Sequence, residues 1–365
     1  MKINILLPFK EKFDENKASS VSITVRNNLL HSNYLNQIKI FGQNTENPLF
    51  KNNFVGLKYS ILSLKSKNKF LAHEMLKIIA KDSDKNQLIE IHNRPYLVDK
   101  IAKGNKFPIS CFFHNNPLSM RGAKSIKDRE NILNKCAAVF CVSEFIKSKF
   151  LEDIKENFEK VHVLHNGVER KLTRFPKKKK EVLFVGRLVP EKGVHFYVEA
   201  VKILAHRHSE WTFGLIGSYK LGDNKIRDFY SDTIIKKIRS VGPQAQFYGF
   251  QDQKFVEEKM KSASIVIIPS VWEEPFGLVA AEAMSNGACI IASKVGGIPE
   301  IIKDNGILID NINHKKLSLK IENLIKDNKM RQNYQKRAWK NFEFSSDISS
   351  NKLDSLRKTI CSDYF

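Results

Sequence analysis

The run Val271-Trp-Glu-Glu-Pro-Phe-Gly-Leu-Val-Ala-Ala-Glu-Ala-Met284, continuing through Ser285-Asn-Gly-Ala-Cys-Ile-Ile-Ala-Ser-Lys-Val-Gly-Gly-Ile-Pro-Glu300, constrains the fold of this chain more than any other stretch. Ile265 to Pro269, just upstream, reads as a short buried strand. Pro275 disfavours the helical region for Glu274, so a helix starts only near Gly277. Glu274 therefore falls in a strand-to-helix loop, and Glu282 falls inside the helix, eight residues on. Ala280, Ala281 and Ala283 leave room for a bulky group beside the first turns. The amides of Gly277, Leu278 and Val279 should be unpaired and positively polarised, a ready place for a phosphate. An isolated pair of acids at this spacing would equally describe one acid near a helix start and one solvated helical Glu.

A second strand, loop and helix gives that reading weight. Glu181-Val-Leu-Phe-Val-Gly186-Arg187-Leu-Val-Pro-Glu-Lys192-Gly193 leads into a helix over Val194 to His206. Arg187 offers a planar fork for two phosphate oxygens and Lys192 a compact point charge, while Gly186 and Gly193 permit close backbone approach. The competing reading is a solvated basic loop; a motif counts when its strand, loop and helix context is right.

Together these stretches resemble the retaining glycosyltransferases of family 4, whose E-x7-E signature corresponds to Glu274 and Glu282 within Glu-Pro-Phe-Gly-Leu-Val-Ala-Ala-Glu-Ala-Met. The resemblance implies an α/β chain of the GT-B fold, two Rossmann-like domains with parallel sheets facing across a cleft. The donor nucleotide would lie on the second domain and the acceptor on the first. It places Arg187 and Lys192 on the donor diphosphate together with the amides around Phe276, Gly277, Leu278 and Val279. Glu282 would meet the ribose hydroxyls, and Glu274 the sugar hydroxyls or anomeric region. Gly249 and Phe250, closing the strand Gln246 to Phe250, would lie against the base, with ordinary core packing as the alternative.

The first half carries the other candidates. Leu88-Ile-Glu-Ile-His92-Asn-Arg-Pro95 and Phe107-Pro-Ile-Ser-Cys-Phe-Phe-His114-Asn-Asn-Pro117 each run a buried strand into a His-Asn-x-Pro loop. Ligands of parallel α/β sheets lie beyond the carboxyl ends of the strands, where both histidines fall. A lone histidine there is more often structural, and two in succession favour function. His114 matches the family's histidine beside the donor sugar, with Asn115 and Asn116 able to add hydroxyl contacts. Arg121 and Lys124 are anion contacts on the acceptor side or simply a solvated basic loop. His92, Ser19 and Ser20 join the acceptor side. Lys17-Ala-Ser-Ser20 stands where the family commonly has a Gly-Gly pair.

The chain has 365 residues and 42% apolar content, which suits two domains with full cores. The expected boundaries are 1–169 for the acceptor-side domain, 170–180 for a basic linker, 181–340 for the nucleotide-sugar domain, and 341–365 for a helix returning to the first domain. No run of about 18 apolar residues exists, and Met1 to Pro8 is too short for a signal peptide, so the expected location is cytoplasmic. Five scattered cysteines without a C-x-x-C pair argue against a disulfide framework or a zinc site. Asp82-Ser-Asp84 has the form of a metal-binding D-x-D, but between lysines it reads as a solvated turn, so no metal is assigned.

Residues 1–180 hold a surplus of 17 positive charges and the remainder only 5, which suits an anionic membrane face or phosphorylated lipid-linked glycan. A lysine-rich composition alongside abundant Asn and Ile would produce the same surplus from genome bias. The implied reaction moves a hexose of glucose, N-acetylglucosamine or mannose type from a UDP- or GDP-linked donor to a glycan or lipid-linked acceptor. Fixed cations stand in for a metal, no further cofactor is required, and lipopolysaccharide or another surface glycan is the expected product. A nucleotide-sugar epimerase of the same fold is the alternative. A basic nucleic-acid-binding protein is the rival from another class; it would interleave aromatics with arginine on one face, whereas here the aromatics fall inside apolar strands.

Overall fold

The computed structural model describes residues 1–15, 17–59, 64–219 and 228–362. It divides into two compact units, one of Met1–Gly167 with Ser346–Phe365 and one of Val168–Ser345. The first unit holds strands β1 (Lys2–Leu6), β2 (Ile38–Gln43), β3 (Phe54–Leu57), β4 (Gln87–His92), β5 (Ile109–Phe113), β6 (Ala138–Cys141) and β7 (Val161–Val163). They form one parallel sheet in the order β3-β2-β1-β4-β5-β6-β7. The second unit holds β8 (Lys179–Val185), β9 (Thr212–Ile216), β10 (Ala245–Gly249), β11 (Ala263–Ile268), β12 (Cys289–Ser293) and β13 (Ile307–Ile309). Its sheet is also parallel, in the order β10-β9-β8-β11-β12-β13.

Helices cover both faces of such sheets, so central strands read as continuous apolar runs. Every residue of β4, β5, β11 and β12 is buried. In each unit the strand order reverses at one point, between β1 and β4 and between β8 and β11, and ligands of doubly wound sheets bind beyond the carboxyl ends there. The two most specific sequence motifs follow β8 and β11, the two strands flanking the second reversal. This is the GT-B architecture of two doubly wound units.

Several boundaries differ from the sequence reading. β3 was not foreseen, because its four residues are all only half-buried and show no clean alternation. The stretch read as a basic linker, 170–180, falls within the second unit. Lys178 donates to the carbonyls of Lys261 and Asn286 at helix C-termini, where cations are favoured, and Arg170 lies 3.5 Å over the Trp339 ring. The sequence pattern is helical from Met330 to Thr359, whereas the structure breaks there into Asn328–Lys340 and Ser346–Ser362, and only the latter packs into the first unit, against helix Ser20–Leu30 and β4. The polar stretch after Gly217, whose sequence reads as a helix-bearing insertion reaching Val241, lies partly on residues 220–227, outside the described residues; helix Phe229–Arg239 follows.

Asp82-Ser-Asp84 is a turn: Asp82 accepts the Lys2 ammonium at 2.6 Å and the Asp84 amide, and Asp84 accepts the Asn86 amide. The five cysteines are buried and unbridged. Among the described residues, no helix is long and apolar enough to cross a membrane, and no group of three or more His, Cys, Asp or Glu could hold a metal ion.

Candidate active site

The two loops of the second unit's reversal are bound to each other. Gly193 ends the turn after β8 at φ +63°, and a Cβ there would sit 1.8 Å from the Pro269 carbonyl oxygen. The Val271 amide donates to the Glu191 carbonyl at 2.9 Å. Lys192 Nζ reaches Glu274 Oε1 at 2.5 Å, and the Ser270 hydroxyl donates to the same oxygen at 2.7 Å. Glu274 is only 7% exposed. From below, Gly296 at φ +56° lets the chain pass against the Glu274 main chain, and the Gly297 amide donates to the Glu274 carbonyl at 2.7 Å. Ser270 and the Gly296-Gly297 pair were not singled out from sequence; a double glycine just beyond a buried strand was the available signal.

Replacing Gly193 by alanine should destabilise the second unit by more than about 2 kcal/mol, since the side chain meets backbone and the positive φ adds strain. Urea unfolding checks it; a change below about 0.5 kcal/mol would show that the loop is free to move aside.

Arg187 is exposed and has no partner among the described residues. Lys192 keeps two further N–H groups beyond the one on Glu274. Gly277, at φ +101°, caps the helix Leu278–Ser285, whose first amides have no main-chain acceptor. Phe276 is 2% exposed and packs edge-on against Phe344, so only its main chain is available to a ligand. Glu282 is half-buried and its carboxyl has no partner among the described residues. Burial, with Glu257 nearby, pushes it up to about 7. An acid held so far from its ordinary range without a cation marks a place where hydrogen-bond donors belong. Gly186 lies at the end of β8, Gly249 ends β10 at φ +70°, and the half-buried Phe250 follows it.

The first unit's reversal is the second cluster. His92 Nδ1 and His114 Nε2 are 2.8 Å apart, and the rings lie nearly parallel. His92 is 3% exposed and stacks on Phe112 at 4.3 Å, so it meets a ligand only through His114. Asn93, at φ +51°, accepts the His114 amide at 2.8 Å, a role not read from sequence although Asn tolerates that backbone. Burial pushes His114 down to about 4; it drives His92 well below the usual histidine range, with His114 and Arg357 adding to it. Both rings are neutral at pH 7.

Ser19 caps helix Ser20–Leu30, accepting the Ser22 amide at 3.4 Å, and Ser20 is exposed. Asn115 is exposed, while Asn116 caps the turn at Pro117. Arg121 lies over Tyr96, and with Lys124 these residues line an open cavity of about 550 Å³ after β4 and β5.

Residues 167–341 match the family described as Glycosyl transferases group 1, and residues 36–172 match Glycosyltransferase Family 4. An uncharacterized glycosyltransferase of Methanocaldococcus jannaschii is 30% identical over 56% of this chain and 57% of its own. A second from that organism is 33% identical over 53% and 51%, so the chain spans little more than half the length of these two relatives. The lipopolysaccharide 1,2-N-acetylglucosaminetransferase of Salmonella typhimurium is 30% identical over 34% of this chain and 32% of its own. Among solved structures, Anabaena HepE in complex with UDP and glucose superposes with a TM-score of 0.75 at 18% identity, covering 98% of this chain and all of that one.

Proposed function

The chain belongs to the family 4 glycosyltransferases, and from that premise we propose that it transfers a hexose from a UDP-linked sugar to a glycan or lipid-linked acceptor with retention of anomeric configuration. The observation that carries the reading is the second unit's reversal point. There an arginine without a partner among the described residues and a lysine with spare donors lie on a loop tied by Lys192 and Glu274 to the next loop, whose following helix offers open amides and an acid, Glu282, likewise without a partner among the described residues. Phosphate needs the first three and ribose hydroxyls need the fourth. The choice of UDP draws on HepE, whose complexes contain UDP and UDP-glucose, and N-acetylglucosamine is a candidate sugar from the Salmonella relative.

In this reading Arg187, Lys192 and the amides of Gly277, Leu278 and Val279 take up the negative charge that collects on the leaving diphosphate, an electrostatic task for fixed donors. Glu282 accepts from the ribose, Glu274 Oε2 from a sugar hydroxyl, and Gly249 with Phe250 flanks the base. The bond from the anomeric carbon to the phosphate oxygen breaks as the acceptor oxygen adds on the same face. The acceptor's proton passes to the departing phosphate oxygen, so no protein nucleophile is needed. His114 donates to an oxygen of the sugar. Ser20, Asn115, Arg121 and Lys124 serve the acceptor, and the basic surplus of residues 1–180 suits an anionic membrane face at the site of surface-glycan synthesis.

The test is thermal unfolding with UDP-glucose, UDP-N-acetylglucosamine, GDP-mannose and ADP-glucose, in EDTA, for wild type and Glu282→Ala. At a hundredfold excess over Kd one UDP-sugar should raise the midpoint by about 5 °C or more, and the variant should lose the response. Indifference to all four would sink the assignment.

A further inference from the structure

His92 lies too deep to touch a substrate, yet among the described residues it makes the one side-chain hydrogen bond of His114. We propose that His92 is a positioning residue for the transfer proposed above, on which this inference rests: its Nδ1–H donates to His114 Nε2, holding the ring of His114 in the tautomer whose Nδ1 carries the proton and faces outward. The two rings can share one proton in two ways. If His114 donated from Nε2, the proton of His92 would sit on its own Nε2, which is buried and has no partner among the described residues. An orphaned buried N–H is the costlier arrangement. With the proton on His92 Nδ1, the buried Nε2 carries only a lone pair. His114 then has its Nε2 occupied and its proton on Nδ1, which is not buried.

The rest of the cluster holds that arrangement still. Phe112 stacks on His92 at an interplanar angle of 10°, and Phe140 stacks on Phe112 at 4.5 Å. The Asn93 side chain fixes the His114 main chain from the loop after β4. His114 thus presents a neutral N–H donor in a set direction, suited to an oxygen of the transferred sugar rather than to taking a proton from the acceptor.

The experiment is long-range 1H–15N correlation on histidine-labelled protein at pH 7, which distinguishes Nδ1–H from Nε2–H rings. His114 of the wild type should be protonated on Nδ1. In His92→Phe, which keeps the stack on Phe112, the His114 signal should move toward Nε2–H, the form favoured by free imidazole side chains. His92→Asn, whose amide N–H can replace the lost donor, should restore the wild-type pattern. Once a sugar donor is found, kcat should fall about tenfold to a hundredfold in His92→Phe with KM for the donor little changed, the cost seen when outer partners that orient a histidine are removed. An Nε2-protonated His114 in the wild type, or a pattern unmoved by His92→Phe, overturns the proposal. The wild-type spectrum decides even where a variant fails to fold. An Nδ1-protonated His114 in a protein indifferent to every nucleotide sugar would support the role of His92 while sinking the transferase reading.

Discussion

Replacing Arg357 by alanine should cost about 3 to 5 kcal/mol, the largest stability loss expected of a single polar substitution here. Arg357 is 1% exposed, on the helix Ser346–Ser362. It grips Glu90 with two bonds of 2.8 Å and Asp354 at 3.1 Å. Glu90 is fully buried in the middle of β4, so without the guanidinium its charge has no counterion. Asp354 keeps the Ser32 hydroxyl and the Asn33 amide and suffers less. Most of the loss therefore reflects an abandoned charge rather than a valuable pair. The double variant Arg357→Met with Glu90→Leu should recover most of it, because burying two ions is itself expensive. Urea unfolding of the three proteins decides: a single variant within about 1 kcal/mol of wild type would mean that water reaches Glu90.

Glu282→Gln should act in the opposite direction on stability and against function. The carboxyl is held at about 7, above its ordinary 4.5, so the folded protein binds its proton more tightly than the unfolded chain does. Stability from this group is therefore complete below pH 4.5 and is lost as pH rises through 7. The shift corresponds to a loss on the order of 3 kcal/mol by pH 8. Glutamine carries no charge to desolvate. The variant should match wild type near pH 4.5, be more stable at pH 8, and lose midpoint stabilisation by a UDP-sugar. A variant whose stability parallels wild type across pH 4 to 8 would show that the acid is solvated. A stabilising substitution that abolishes binding is the mark of an acid retained for a ligand.

Much of this was legible in the sequence because the informative signals are local. Pro275 and Gly277 place Glu274 in a loop and open the helix amides, and the ranges of β8, β11 and helix Leu278–Ser285 follow the apolar runs closely. Ser143 caps helix Glu144–Leu151 through the Ile146 amide, as its position between strand and helix suggests. Weak local signals were lost: the half-buried edge strand β3, the break between the last two helices, and the capture of the basic stretch by the second unit.

Spacing along the chain by itself determined which loop each candidate occupies, because strand, turn and helix preferences act over a few residues. Only the tertiary structure decided which loops are neighbours. Lys192 and Glu274 stand 82 positions apart, His92 and His114 are 22 apart, and Arg357 and Glu90 are 267 apart. These pairs meet because β8 lies beside β11, β4 beside β5, and the last helix returns to β4. Burial then assigns the chemistry, leaving Glu282 to titrate at about 7, His114 neutral and His92 out of reach of a substrate, since the dielectric around a side chain is set by its distant neighbours in sequence.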